Sequence, residues 1–468
     1  MCYLSQATLE ASALGGSKYR LARGLAVPTV SREAGAPPRD ALLRYHRHLR
    51  DSFPAVFGSG RVTVEAVNEL SLLLTVAGSE PHLTPYLLLS HMDVVPAVEE
   101  HWSWPPFAGL VQDGYVMGRG AIDVKQTTHA ILESLERRLL AGDPPRRSLL
   151  IAFGHDEEVS GRHGAARVAA LLESRGQRVA FVLDEGSFIT RDVRGVRAPV
   201  AHMAVTEKGY LDVKMTARGP AGHSSLPPPG AETAIGRLTR AVARLLPSRH
   251  PVRLAGSPSL EQFRALASLA SPLFRLIYAN IALLAPVLVW GLRKKPAFLP
   301  LFQTTTAVTI VKGGYKENVV PGEATAVINH RIMPGETKED VLERDRRAIS
   351  DPNVQLEVLH YKAPALTSRF DEEAPVLGLL AATVQQIHGE DVGAAPTVLV
   401  GSTDSIYYQG ITDTVIRFDP IVLSSSEAKM MFHGKDEKIS IENYHNCIQF
   451  YYKLMKNLEC PAVISKLP

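Results

Sequence analysis

The chain has 468 residues, of which 45% are hydrophobic and 21% charged, and its formal net charge is +3. That length suits two domains rather than one compact core, and the scattered, nearly balanced charge leaves no electrostatic footprint for nucleic acid. Three cysteines (Cys2, Cys447 and Cys460) without a CxxC pair exclude a disulfide framework and a thiolate zinc site, so any metal must be held by His and carboxylates.

At the N-terminus, MCYLSQATLEASALGGSKYR lacks a charged start followed by a long apolar stretch, so no signal peptide is visible and the compartment stays open. Residues 86–89, 148–153 and 179–183 then read as buried strands, and 127–140 and 165–172 as helices with an apolar stripe. Each strand is predicted to end at polar residues: His91 and Asp93, then 155–158, then Asp184 and Glu185. Open α/β sheets gather their chemistry at such carboxyl ends.

From about Ala204 the texture becomes β-rich, at 211–216, 304–311, 324–331 and 354–359, with a helical stretch at 338–349. Long helices resume at 375–387 and 441–458. The expected architecture is an α/β catalytic domain over 1–204 and 363–468, with a mixed sheet between helices. A smaller α+β lid domain, 205–362, is inserted into it. Within the lid, 276–292 (LIYANIALLAPVLVWGL) is uncharged and flanked by Arg275 and by Arg293, Lys294 and Lys295, nearly enough to cross a bilayer. Asn280 and Pro286 interrupt it, and a single crossing would divide the site described next between two sides of a membrane. The segment therefore reads either as a helical hairpin touching lipid or a membrane surface, or as a buried helix pair.

The chemistry-bearing words follow the strands. LLLSHMDVVP ends at His91, with Asp93 placed to orient it, although a strand-end His is often simply hydrogen-bonded. In GRGAIDVK, Asp123 can bridge two metal ions through its two oxygens or merely cap the following helix. In GHDEE, Glu157 and Glu158 would repel each other unless a cation lies between them, which suggests Glu158 as ligand and Glu157 as base; a solvated turn is the alternative. LDEG offers Asp184 or Glu185, and FHGKDEKIS offers His433 in a loop before a helix. Jointly, these separate ends suffice for two zinc ions sharing Asp123.

The words HMDVVP, GRGAIDVK, GHDEEVSG, LDEG and FHGKDEKIS, in this order, closely resemble metallopeptidase family 20, the aminoacylase and carboxypeptidase family of two-zinc enzymes. The resemblance implies a zinc-exopeptidase-type catalytic domain. It puts His91 and one residue of the LDEG pair on one zinc, Glu158 and His433 on the other, and Asp123 between them. Likeness to aminoacylases favours Glu185 over Asp184. Asp93 matches the residue that orients the first His, and Glu157 the general base. AGHSS resembles the family's GHSS, implying that His223 stabilises an oxyanion. Asn318 in ENVVP and Arg331 in HRIMPG match substrate-holding residues, and GSTDS (Ser402, Thr403, Asp404) resembles the loop completing a carboxylate pocket. The chain departs from its relatives at Ile406, where they usually carry Arg, so carboxylate recognition is expected to rest on Arg331 and backbone donors.

PRRSLLIAFGHDEE and QTTTAVTIVKGG look most like the carboxypeptidase S group and its animal N-fatty-acyl-amino-acid synthase/hydrolase branch. That likeness implies a small-molecule substrate: an N-acyl amino acid, a fatty acid with an amino acid, or a short peptide. A dipeptidase without lipid preference and a silent binder of lipidated amino acids are the rivals. Relatives of this kind are secreted or enter the vacuole, so the resemblance implies an extracellular location while the sequence itself leaves location and oligomeric state open.

Overall fold

The computed structural model describes residues 5, 8–10, 14–248, 250–254, 256–294, 296–371 and 373–467. An eight-stranded mixed sheet carries the fold, in the spatial order Val62–Val67, Ser71–Val76, Leu149–Gly154, Tyr86–His91, Val182–Thr190, Val415–Val422, Val200–Glu207, Gly393–Leu399. Its four central strands run parallel, so their carboxyl ends meet along one edge.

YLLLSH and LLIAFG are buried at every position, as strands covered on both faces must be. Side-chain alternation decides which face each residue serves. Leu88 and Ile151 pack with Ile131 and Tyr444, from the helices Lys125–Leu140 and Ile441–Asn457. Leu87, Leu89 and Leu150 pack the other way, against Val168 and Leu172 of the helix Ala165–Ser174.

A second, antiparallel sheet is ordered Thr305–Gly313, Glu323–Ile332, Gly209–Arg218, Val354–Lys362. Along Glu323–Ile332, buried and half-buried residues alternate. Ala326, Ile328 and Ile332 join Leu238 and Val341 of the helices Ala234–Leu245 and Lys338–Ile349 in a separate core. Arg331 is therefore left on the opposite face.

Two expectations need correction. The third strand does not end at Asp184 and Glu185 but runs from Val182 to Thr190, with its register slipping between Asp184 and Ser187 against Val415–Val422. Segment 276–292 is neither a span nor a buried pair. It forms parts of two short helices, Pro272–Ala279 and Ala285–Arg293, broken after Asn280, and no helix among the described residues is long and apolar enough to cross a membrane. Phe274, Ile277 and Tyr278 pack on Val200 and Ala395 at the main sheet's outer strands, and Leu288 and Val289 on Leu254 and Phe302. The opposite sides of both helices are exposed.

Candidate active site

Five segments converge at the carboxyl edge of the parallel strands. His91 closes its strand fully buried, and its Nδ1 lies 3.0 Å from the Asp93 carbonyl oxygen. A carbonyl can only accept, so Nδ1 carries a proton, and in the neutral imidazole Nε2 presents a lone pair. That buried Nε2 has no hydrogen-bond partner yet stands 3.3 Å from both Asp123 Oδ1 and Glu185 Oε1. Lone pair against carboxylate is repulsive unless a cation or proton intervenes, and this donor set fits a divalent metal.

A second group adjoins it. His433 Nε2 lies 3.2 Å from Asp123 Oδ2 and 3.2 Å from Glu158 Oε2. Asp123 thus faces one imidazole with each oxygen, the arrangement a bridging ligand requires. His433 holds a left-handed backbone, φ 54°, and the next residue is Gly434, where a Cβ would collide with the Met430 carbonyl. His91, Glu157 and Glu185, and likewise His91, Asp123 and Glu158, place one ligand atom each within 4.8 Å of one another. Glu157 is the outlying member, 4.0 Å from His91 Nε2.

Charge makes the same case. Asp123, Glu157, Glu158 and Glu185 crowd together, and none forms a salt bridge to Lys or Arg among the described residues. Burial, then the Glu185 charge, pushes the Glu157 carboxyl well above its usual value. Glu185 is raised likewise, by burial partly opposed by His91. Burial also works against ionised Asp123, but the imidazoles of His433 and His91 beside its two oxygens outweigh it and hold its carboxyl below the usual range. Bound cations relieve such crowding directly.

The supporting residues are placed by backbone amides. Asp93 accepts from the amides of Glu157 and Glu158, fixing the GHDEE turn beside His91. Asp184 accepts from Glu185 N and from Ser405 N, so its oxygens are engaged away from His91. Glu185 is the one of the pair that faces the imidazole.

A cleft of about 980 Å³ opens from this centre and is bordered by both sheets. Arg331 borders it beside Tyr210, its guanidinium 4.7 Å from the ring centroid. Ser402, Thr403 and Asp404 border it too; the Ser402 hydroxyl is buried without a partner, whereas Thr403 donates to Glu207. His223 and Asn318 do not border it. They lie at an exposed two-stranded ribbon pairing Gly222–His223 with Val319–Val320, where Ser224 N donates to the Asn318 carbonyl.

With this geometry in place, a family model for peptidase family M20/M25/M40 matches residues 87–457. The chain belongs to that family. It is accordingly a metal-dependent hydrolase. N-fatty-acyl-amino acid synthase/hydrolase PM20D1 of Mus musculus is 39% identical over 94% of this chain and 88% of its own length. A probable carboxypeptidase S-like 2 of Dictyostelium discoideum is 36% identical over 89% of this chain and 79% of its own. Among solved structures, an M20 family metallo-carboxypeptidase from Sulfolobus solfataricus superposes with a TM-score of 0.67 at 17% identity, covering 94% of this chain and 98% of that one. Human carnosine dipeptidase 1 gives 0.67 at 14%, covering 96% and 97%; these two establish the fold.

Within this M20 frame several residues escaped the sequence reading. Ile406 does not border the cleft, and the cations that do include Arg162 and Lys362 as well as Arg331. Glu437, within a word read only for His433, is fully buried and accepts from Arg119 and from the amides of Gly120, Ile122 and Asp123. The signal was an acidic residue in the same word, but its role depends on a loop more than 300 residues earlier.

Proposed function

We propose that the chain hydrolyses, and in reverse forms, the amide between an acyl group and an amino acid bearing a free carboxylate, with long-chain N-acyl amino acids as its substrates. The reading rests on one observation: a five-segment His/carboxylate centre opens into a cleft that also presents Arg331 and Lys362. The mouse relative named as an N-fatty-acyl-amino acid synthase/hydrolase supports the choice of substrate. We assign His91, Asp123 and Glu185 to one zinc ion and Asp123, Glu158 and His433 to a second, with residues 205–362 as an inserted lid.

Zinc held by these residues would supply Lewis acidity, lowering the pKa of bound water and polarising the acyl carbonyl. Glu157, beside His91, takes the proton of the attacking water and returns it to the leaving nitrogen. Asp93 keeps the His91 tautomer and the Glu157 backbone in register. Arg331 and Lys362 hold the substrate carboxylate, and the free Ser402 hydroxyl offers a further hydrogen bond. The likeness of AGHSS assigns His223 to the oxyanion, a role that needs its exposed Gly222–His223 ribbon to meet a cleft that it does not border in this structure. Catalysis sets no direction, so the same residues run the condensation.

Metal analysis with turnover of an N-oleoyl amino acid and of a simple dipeptide tests the proposal. Glu157→Gln should keep its metal and lose about 10²- to 10⁴-fold in rate in both directions. Near-wild-type turnover in that variant removes Glu157 from the mechanism, and faster cleavage of the dipeptide than of the acyl amino acid makes the protein a dipeptidase.

A further inference from the structure

The helices Pro272–Ala279 and Ala285–Arg293 are apolar on two sides. Their inner sides fill the two small cores described above. Their outer sides carry Leu273 and Leu276, then Val287 and Trp290, and the turn between them carries Leu283; these five are 66%, 65%, 63%, 61% and 81% exposed. A spacing of three residues keeps each helical pair on one helix face. Isolated exposed apolar residues are ordinary, whereas five large ones exposed within eighteen positions of the chain, on and between consecutive helices, mark an interaction site.

The surrounding charge indicates what covers it. From residue 262 to residue 316 the sequence holds no Asp or Glu, while Arg275, Arg293 and Lys294 rim the hairpin and are exposed. Lys294 Nζ sits 3.7 Å from the Trp290 ring centroid, an aromatic and a cation at the same edge. Leu and Trp on one side with Lys and Arg at the rim is the pattern of a helix lying in a membrane interface, and the basic rim matches anionic headgroups. A symmetric contact with a second copy would instead set basic rim against basic rim, with no acidic residue in the segment to relieve it.

We propose that the hairpin 272–293 docks this protein onto an anionic phospholipid surface. The inference goes beyond the amidase reading and does not require it. It does place the cleft near lipid: the hairpin packs on Ala395 of Gly393–Leu399, whose last residue borders the cleft. That strand spans roughly 23 Å at 3.3 Å per residue.

Flotation of the full chain with vesicles of phosphatidylcholine, with and without phosphatidylserine, tests the proposal. The wild type should bind the serine-containing vesicles about tenfold more tightly than neutral ones. A variant combining Leu283→Ser, Val287→Ser and Trp290→Ser should bind neither, and Arg293→Gln with Lys294→Gln should bind both alike. Both variants should retain wild-type circular dichroism and wild-type turnover of a short, water-soluble acyl substrate. The proposal is overturned if the wild type floats with neither vesicle or with both alike, or if the triple variant floats as the wild type does. A triple variant that instead lowers the oligomeric mass in solution makes the stripe a contact between copies and overturns it as well.

Discussion

Asp184 and Glu185 are consecutive carboxylates on a strand, so alternation turns them to opposite faces. The slipped register between Asp184 and Ser187 aims Glu185 at His91, while Asp184 is held by Ser405 N and Glu185 N. Glu185→Gln should weaken metal affinity by more than about 100-fold, since the loss of an outer partner alone costs up to that much. Competition against a chromogenic chelator measures it. Asp184→Asn should leave metal content intact but lower unfolding stability by about 1–3 kcal/mol, because an amide NH2 then meets a buried N–H. The reverse pattern would exchange the two assignments. His433 gives a pH signature at the same scale. Hydrogen bonds with Asp123 and Glu158 push its imidazole up to about 10 in the metal-free protein. A raised folded-state value stabilises below the unfolded value near 6.5 and is lost as pH rises through about 10. Metal-free stability from this residue should thus fall across that window, while metal affinity rises as the competing proton leaves. Calorimetry in buffers of different ionisation enthalpy should register proton release on metal binding at pH 7. The words that converge on this centre are legible in the sequence because each closes an apolar run or sits in a glycine-flanked loop. The choice within LDEG came from resemblance alone, because which carboxylate faces His91 depends on a register slip that no local pattern encodes.

At the scale of elements, Glu437 joins the loop carrying His433 to the turn carrying Asp123. One carboxylate accepts three amides of that turn, and both it and Arg119, its ion-pair partner, are buried. Glu437→Gln leaves Arg119 without its counter-charge and should cost about 3–5 kcal/mol of stability. Metal affinity should fall by about 10–100-fold as the turn loosens. Thermal unfolding read alongside chelator competition separates the two effects, and a variant with unchanged metal affinity would remove Glu437 from the site. The strands around Leu87 and Leu150 were readable as continuous apolar runs, and the helix at 127–140 by its stripe. The strands Val200–Glu207 and Val415–Val422 do not stand out in the sequence. They bury Glu207 against Arg417 and hold Asp419 on Thr127 and Gly186, so charged residues interrupt the apolar signal. Their compensation is a partner 210 residues away, which no window of local sequence contains. The segment 276–292 is a related case: its composition reads as uncharged and mostly apolar, but only the fold decides which stripe turns inward.

For the whole molecule, the two sheets have separate hydrophobic cores, and every metal-ligating candidate lies on the eight-stranded side. Leu211, Val213, Ile328 and Val341 form one cluster; Leu88, Ile131, Ile151 and Tyr444 belong to another. His91, Asp123, Glu158, Glu185 and His433 span most of the chain, so a metal held by them would tie the last forty or so residues to the first half of the eight-stranded layer. Ligand present at about 1,000 times its dissociation constant adds roughly 4 kcal/mol to the unit that binds it and nothing to a unit that does not. Heating the metal-loaded protein and its chelator-treated form in a calorimeter should therefore resolve two transitions. Chelation should lower the one belonging to the eight-stranded layer and leave that of the smaller sheet in place. Glu158→Gln should reproduce the lowered transition without chelator, since it removes a ligand and keeps side-chain volume. A single transition that shifts as one under chelation would mean that the contacts between the sheets, across the shared cleft, couple the two cores more strongly than their separate packing implies.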